Sequence, residues 1–176
     1  MKLSISELIQ MKSVIHSELN RIKGELQKGA FKKSLADDVL EEVTLEEFKA
    51  NLNKMADLQE DLVSIGSLVA KLNLETMIEV DGTETSIREG LEFAKMARND
   101  ANLYRNLGQK QKLIVDSGGR FSQNVENTRT EYLHDIEFFK NQETASLRYA
   151  DRISRAVERA SVVTEVEIDD KFEEYR

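Results

Sequence analysis

Four arginines, Arg148, Arg152, Arg155 and Arg159, follow one another at steps of four, three and four. On a helix that spacing lays their guanidinium groups along one stripe, with Tyr149 beside it. A guanidinium is planar, permanently charged and able to grip phosphate or carboxylate with two parallel hydrogen bonds. Two chemistries fit. The stripe binds an anionic ligand at a junction between subunits, or it flanks a bundle seam and pairs with glutamates of a neighbouring helix. The second is the ordinary use, and the chain has glutamates to spare. Arg98, Arg105 and Arg120 also fall outside the predicted apolar faces and are further candidates for the anion site.

No other constellation carries chemistry. His16 and His134 lie on different predicted helices and in no HExxH pattern. No GxSxG, Walker A or GxGxxG motif occurs. The DSGG run at 116–119 could cradle an anion, but reads first as a turn. Glu41, Glu42, Glu46, Glu47, Glu60 and Asp61 look like solvated helix faces, and His134 with Glu137 like a surface pair. Without a nucleophile, base or metal set, no enzyme, metal or cofactor is expected.

Composition narrows the class. The 176 residues carry a net charge of −8, which argues against a general nucleic-acid binder. Cysteine is absent, excluding disulfides and thiolate sites and fitting a cytoplasmic location. Residues 1–13 lack the apolar core of a signal peptide, and no run is apolar and long enough for a membrane span. Proline is absent and a third of the residues are charged, both in keeping with long helices.

The elements that must position the arginines are therefore helical. Residues 4–28 start with a Ser4/Glu7 capping box and carry Leu8, Met11, Ile15, Leu19, Ile22 and Leu26. Residues 44–72 start with Thr44/Glu47 and place Leu45, Phe48, Leu52, Met55, Leu58, Leu62, Ile65, Val69 and Leu72 on one stripe. At about 1.5 Å per residue this rod is roughly 40 Å long and needs a partner along its length. The two are expected to form an antiparallel pair, with a short helix near 34–43 covering one end. Residues 76–80 alternate as a strand, and Asp81-Gly82 turns it into a hairpin with 83–85. A third helix starts at Ser86/Glu89, buries Ile87, Leu91, Ala94, Ala101, Tyr104 and Leu107, and ends at Gly108. Residues 109–130 read as a second hairpin or a loop. The fourth helix, about 130–162, carries Leu133, Ile136, Phe139, Leu147, Ala150, Ile153, Val157 and Ala160, interrupted at Gln142 and Glu143. Residues 162–168 are expected to form a terminal strand that pairs with 76–80, within the chain or across a subunit boundary, and the acidic tail 169–176 is expected to fray.

Three stretches, MKLSISELIQMKSVIHSELNRIKGEL, LVSIGSLVAKLNLETMIEVDGTETSIREGLEFAKMARNDANLY and ISRAVERASVVTEV, resemble the septicolysin-like family of small, mostly helical bacterial and phage-borne proteins. Asn73, Asp81, Gly82, Thr83, Ala160, Thr164 and Glu165 stand at that family's motif positions, while Ser161-Val162 replace its Asn-Trp. The resemblance implies helical hairpins with small β elements that assemble into oligomers. It implies no reaction and no catalytic residue. The family name suggests a pore-former, yet no amphipathic β-hairpin or apolar segment of membrane length is present.

The fold expected is mainly α: long antiparallel helical hairpins in a coiled-coil-like bundle, with small β-hairpins and a C-terminal strand, as one elongated domain over 1–168. The function expected is non-enzymatic protein binding and assembly as a cytoplasmic homo-oligomer. The alternative is a phage-type sequestering protein that traps a small phosphate-bearing, nucleotide-like ligand at its arginine-lined junctions.

Overall fold

A computed structural model describes residues 1–29, 45–109 and 136–175. The expectations for Thr44, for 34–43, for 110–130, and for Arg120, Leu133 and His134 lie outside these residues. In order, the elements are β1 (Lys2–Ser4), α1 (Ile5–Gly29), α2 (Leu45–Glu75), β2 (Met77–Val80), β3 (Thr83–Ser86), α3 (Ile87–Leu107), α4 (Ile136–Val163) and β4 (Glu165–Glu167), closed by a 3₁₀ turn at Asp170–Tyr175. The mainly helical class with small antiparallel two-stranded sheets is as expected. The chain divides into two compact units, Met1–Glu89 with Ala156–Arg176, and Gly90–Arg155.

In the first unit α1 and α2 run antiparallel: Lys54 of α2 bonds Glu18 of α1 at 2.7 Å, while Gly66 lies opposite Lys12. Leu8, Met11, Ile15, Leu19, Ile22 and Leu26 bury one stripe of α1 against Leu58, Ile65, Val69 and Leu72. Leu52, expected in that stripe, is exposed. Both described capping boxes form. The Ser4 and Ser86 amides donate to Glu7 and Glu89 at 2.8 and 3.1 Å, and the Glu7 and Glu89 amides return bonds to the serine hydroxyls.

The β2–β3 hairpin closes at Asp81 and Gly82, both at positive φ (53° and 78°), the backbone a tight primed turn requires. That local closure takes β3 as the partner of β2. The terminal strand β4 pairs instead with β1, an N-terminal stretch for which no strand was expected. The tail also differs from expectation. Phe172 is buried, the Met1 ammonium donates to Asp170 at 2.7 Å, and Lys171 and Tyr175 both donate to Asp61. Counting acidic residues predicts fraying; two aromatic anchors and a buried acceptor prevent it.

The chain makes the same pass twice, β1–α1–α2–β2 and then β3–α3–α4–β4. Ser4-Ile5-x-Glu7 opens the first and Ser86-Ile87-x-Glu89 the second; Thr76-x-Ile78-Glu79-Val80 closes the first and Thr164-x-Val166-Glu167-Ile168 the second. The joints match bond for bond. The Ile5 amide donates to the Thr164 carbonyl at 3.2 Å, and the Ile87 amide to the Thr76 carbonyl at 2.9 Å. Ser4 faces Glu165 across one ladder as Ser86 faces Met77 across the other.

In the second unit α3 and α4 are antiparallel, since Arg98 meets Ser154 while Arg105 meets Glu143. The seam is built from small residues, Ala94, Ala97, Ala101 and Ala150, with Ile153. A methyl group on Gly108 would stand 3.3 Å from the Phe139 Cβ, so the seam is equally close there. Leu91, Leu107 and Leu147, expected on the buried faces, are exposed. An alanine seam brings the backbones together and leaves the larger side chains on its flanks.

Candidate functional site

The candidate site grows from a second stripe on α3. Beside the buried Ala94, Ala97 and Ala101 run Phe93, Met96, Asp100, Leu103 and Leu107, at steps of three, four, three and four. Phe93, Met96 and Leu103 are 43%, 49% and 54% exposed. A soluble helix ordinarily turns polar residues outward on such a face. Here Phe93, Met96 and Asp100 join Ala145, Ser146 and Tyr149 of α4 around one open groove of about 380 Å³. The Arg152 guanidinium stands over the Tyr149 ring, 5.7 Å from its centroid, at the rim of that groove.

The sequence-predicted arginines fall into several places. Arg148, Arg152, Arg155 and Arg159 are all exposed, on the side of α4 away from the buried Ala150 and Ile153. They face solvent and do not flank the seam. Arg155 pairs with Asp151 on its own helix at 2.8 Å. Arg159 belongs to the other compact unit. Arg98 donates to Ser154 at 2.6 Å, and Arg105 binds Glu143 at 2.7 Å. That last pair is the interhelical arginine–glutamate bridge a bundle ordinarily makes, and it explains why Glu143 interrupts the apolar stripe. Arg120 lies outside the described residues. His16 is an exposed helix residue whose Nδ1 lies 3.2 Å from the Asn20 amide nitrogen. Among the described residues no three histidine or carboxylate side chains converge to hold a metal ion, and no helix is long and apolar enough to cross a membrane.

The counterpart of the groove in the first pass is partly covered: Met11 is buried, while Val14 stays half exposed. Aligned from their capping serines, Met11, Val14 and Glu18 of α1 correspond to Phe93, Met96 and Asp100. Aligned from their closing threonines, Asp57, Leu58 and Asp61 of α2 correspond to Ala145, Ser146 and Tyr149. The chain's own tail sits there, because Val14, Glu18, Asp57 and Leu58 line a groove together with Glu174 and Tyr175. Met11 is 3% exposed where Phe93 is 43% exposed.

Electrostatics hold this tail in place. Lys171 donates to one carboxylate oxygen of the buried Asp61 at 2.7 Å, and the Tyr175 hydroxyl to the other at 3.0 Å. The bond to Asp61 raises the Lys171 ammonium pKa. Burial, and then the Asp61 bond, push the Tyr175 phenol up. At the edge of the same groove Glu18 is held down to about 2 by hydrogen bonds from Arg21 and Lys54. Sequence reasoning missed the groove because it needs the register of two helices. The one local signal was a second apolar stripe beside the alanines of α3.

No family model matches the chain, and no curated protein and no solved structure matches it.

Proposed function

We propose that the chain is a non-enzymatic helical binding and assembly protein that associates with copies of itself. The observation that supports this is the outward apolar stripe of α3. Leu103, Leu107 and Phe138 are each about half exposed near the end of α3 and the start of α4. Exposed apolar surface that is continuous along a helix marks an association surface. The resemblance to the septicolysin-like family, itself part of this proposal, points the same way. Sedimentation equilibrium of the full chain from 1 to 100 μM tests it (concentrations on the order of a typical association range). A mass that stays at one chain throughout refutes self-assembly.

The second reading is sequestration of a small phosphate-bearing ligand. What favours it is that Arg148 and Arg152 are exposed on one face near Tyr149. A nucleotide panel in a thermal-shift assay, with Arg152→Ala as control, tests this. No shift with any nucleotide removes the reading.

A further inference from the structure

We infer that the groove between α3 and α4 is a docking site for a short acidic peptide with aromatic anchors, carried by another protein. This rests on the binding reading above and names the partner's chemistry. The described residues contain two equivalent grooves, and the 3₁₀ segment after β4 lies in one of them. In the first groove the tail shows what fits: two 3₁₀ turns, Asp170–Tyr175, with Glu174 and Tyr175 lining the groove and the Tyr175 hydroxyl bonded to Asp61. In the second groove Phe93 is about half exposed where its counterpart Met11 is buried, and every described lining residue comes from α3 or α4. After β2 the chain cannot supply a tail of its own, because Asp81-Gly82 turns it directly into β3.

The charges fix which peptide fits. In the first groove Glu60 and Asp61 face the tail's Lys171, which bonds Asp61 and is raised in pKa by both carboxylates. In the second groove Arg148 and Tyr149 stand at the places of Glu60 and Asp61, and Arg152 at the place of Ser64. The partner's cation is thereby replaced by an anion. Asp100, the counterpart of Glu18, is the one carboxylate among the described lining residues, and the Arg152 guanidinium stands beside Tyr149 at the rim. The chain's own tail, with its lysine and its bonds to Asp61, is matched to the first groove and not to this one. An aromatic anchor meets Phe93, Met96 and Tyr149, and flanking carboxylates meet Arg148 and Arg152.

Fluorescence anisotropy with the full-length protein tests this, using two labelled peptides: DDKFEEYR, the tail sequence, and DDEFEEYR, in which glutamate replaces the lysine. The glutamate peptide is expected to bind at least about fivefold tighter than the lysine peptide, and to weaken as salt rises. Met96→Glu and Arg152→Glu are each expected to weaken it about tenfold or more, the size of one lost anchor. Both sites are exposed, so circular dichroism should show an unchanged helix content. Asp61→Asn, which loosens the tail in the first groove, should leave glutamate-peptide affinity unchanged. Absence of binding, binding indifferent to Met96→Glu, or loss of binding in Asp61→Asn overturns the inference. Tighter binding of the lysine peptide also overturns it, because the occupant would then be the tail of a second copy. Failure here with a concentration-dependent mass leaves the assembly reading standing; peptide binding by a strict monomer does the reverse.

Discussion

Ser4 and Ser86 each do two things: they end a strand and cap the helix that follows. Each amide and hydroxyl donates to a glutamate three residues on, and that glutamate's amide donates back to the serine hydroxyl. The Glu89 carboxyl pKa is lowered by the Ser86 amide first, then by the Ser86 and Thr85 hydroxyls. Ser86→Ala and Ser4→Ala are each expected to destabilise by about 1 kcal/mol in urea unfolding, and by similar amounts because the joints match. Glu18 gives a pH signature. Its folded pKa is about 2 against an ordinary 4.5, with the Arg21 bond as the largest cause. A lowered carboxylate contributes stability that is complete above the unfolded value and is lost as pH falls from about 5 toward 2. Glu18→Gln should therefore lower stability at pH 7 and flatten its decline below pH 5. The carboxyl is partly exposed, which limits the effect to about 1 kcal/mol or less. Urea midpoints at pH 7 and pH 3 check the sign: a larger loss in the variant at pH 3 than at pH 7 would contradict it.

At the scale of elements, the terminal 3₁₀ turn completes the α1–α2 hairpin. Phe172→Ala removes a buried ring and should cost about 3 kcal/mol of the first unit's stability. Measured by denaturation, a loss below about 0.5 kcal/mol, as at a surface site, would mean the tail is not part of that core. Gly82 sits at φ +78°, so Gly82→Ala should destabilise the β2–β3 hairpin by about 1 kcal/mol. These elements differ in how far the sequence announces them. The Ser4/Glu7 and Ser86/Glu89 capping boxes and the Asp81-Gly82 turn depend on residues at most three apart, and they read correctly. The stripes of α1 and α2 read well because large aliphatic side chains fill their seam. The α3–α4 seam is alanine, so a reading that sends leucine inward misplaced Leu91, Leu107 and Leu147. The β1–β4 pairing and the contacts of Asp61 with Lys171 and Tyr175 join residues more than a hundred positions apart, and no local pattern encodes them. The repeated pass left only short matches at the joints, because its helices differ in between, with Met11, Ile15 and Leu19 in the first where Phe93, Ala97 and Ala101 stand in the second. The arginine stripe was legible by residue type. Its place on the solvent side of α4 was not.

The whole molecule carries a net charge of −8, and this separates its two proposed modes of association. Copies that meet through Leu103, Leu107 and Phe138 bring like-charged chains together. Added salt screens that repulsion, so self-association should tighten as ionic strength rises from about 0.05 to 0.5 M, where the Debye length falls well below 10 Å. A peptide held by Arg148 and Arg152 is drawn by unlike charge, and the same change of salt should release it. Leu103→Glu with Leu107→Glu should shift the mass toward one chain without lowering the urea midpoint, since both side chains are already exposed. Arg152→Glu should leave the mass unchanged while abolishing the salt-sensitive peptide binding. Sedimentation equilibrium and peptide anisotropy across one salt series decide between separate surfaces and a shared one. Opposite salt slopes, each removed by its own variant, mean two surfaces. A single slope, or loss of both activities in either variant, means that the outward face of α3 serves one partner at a time.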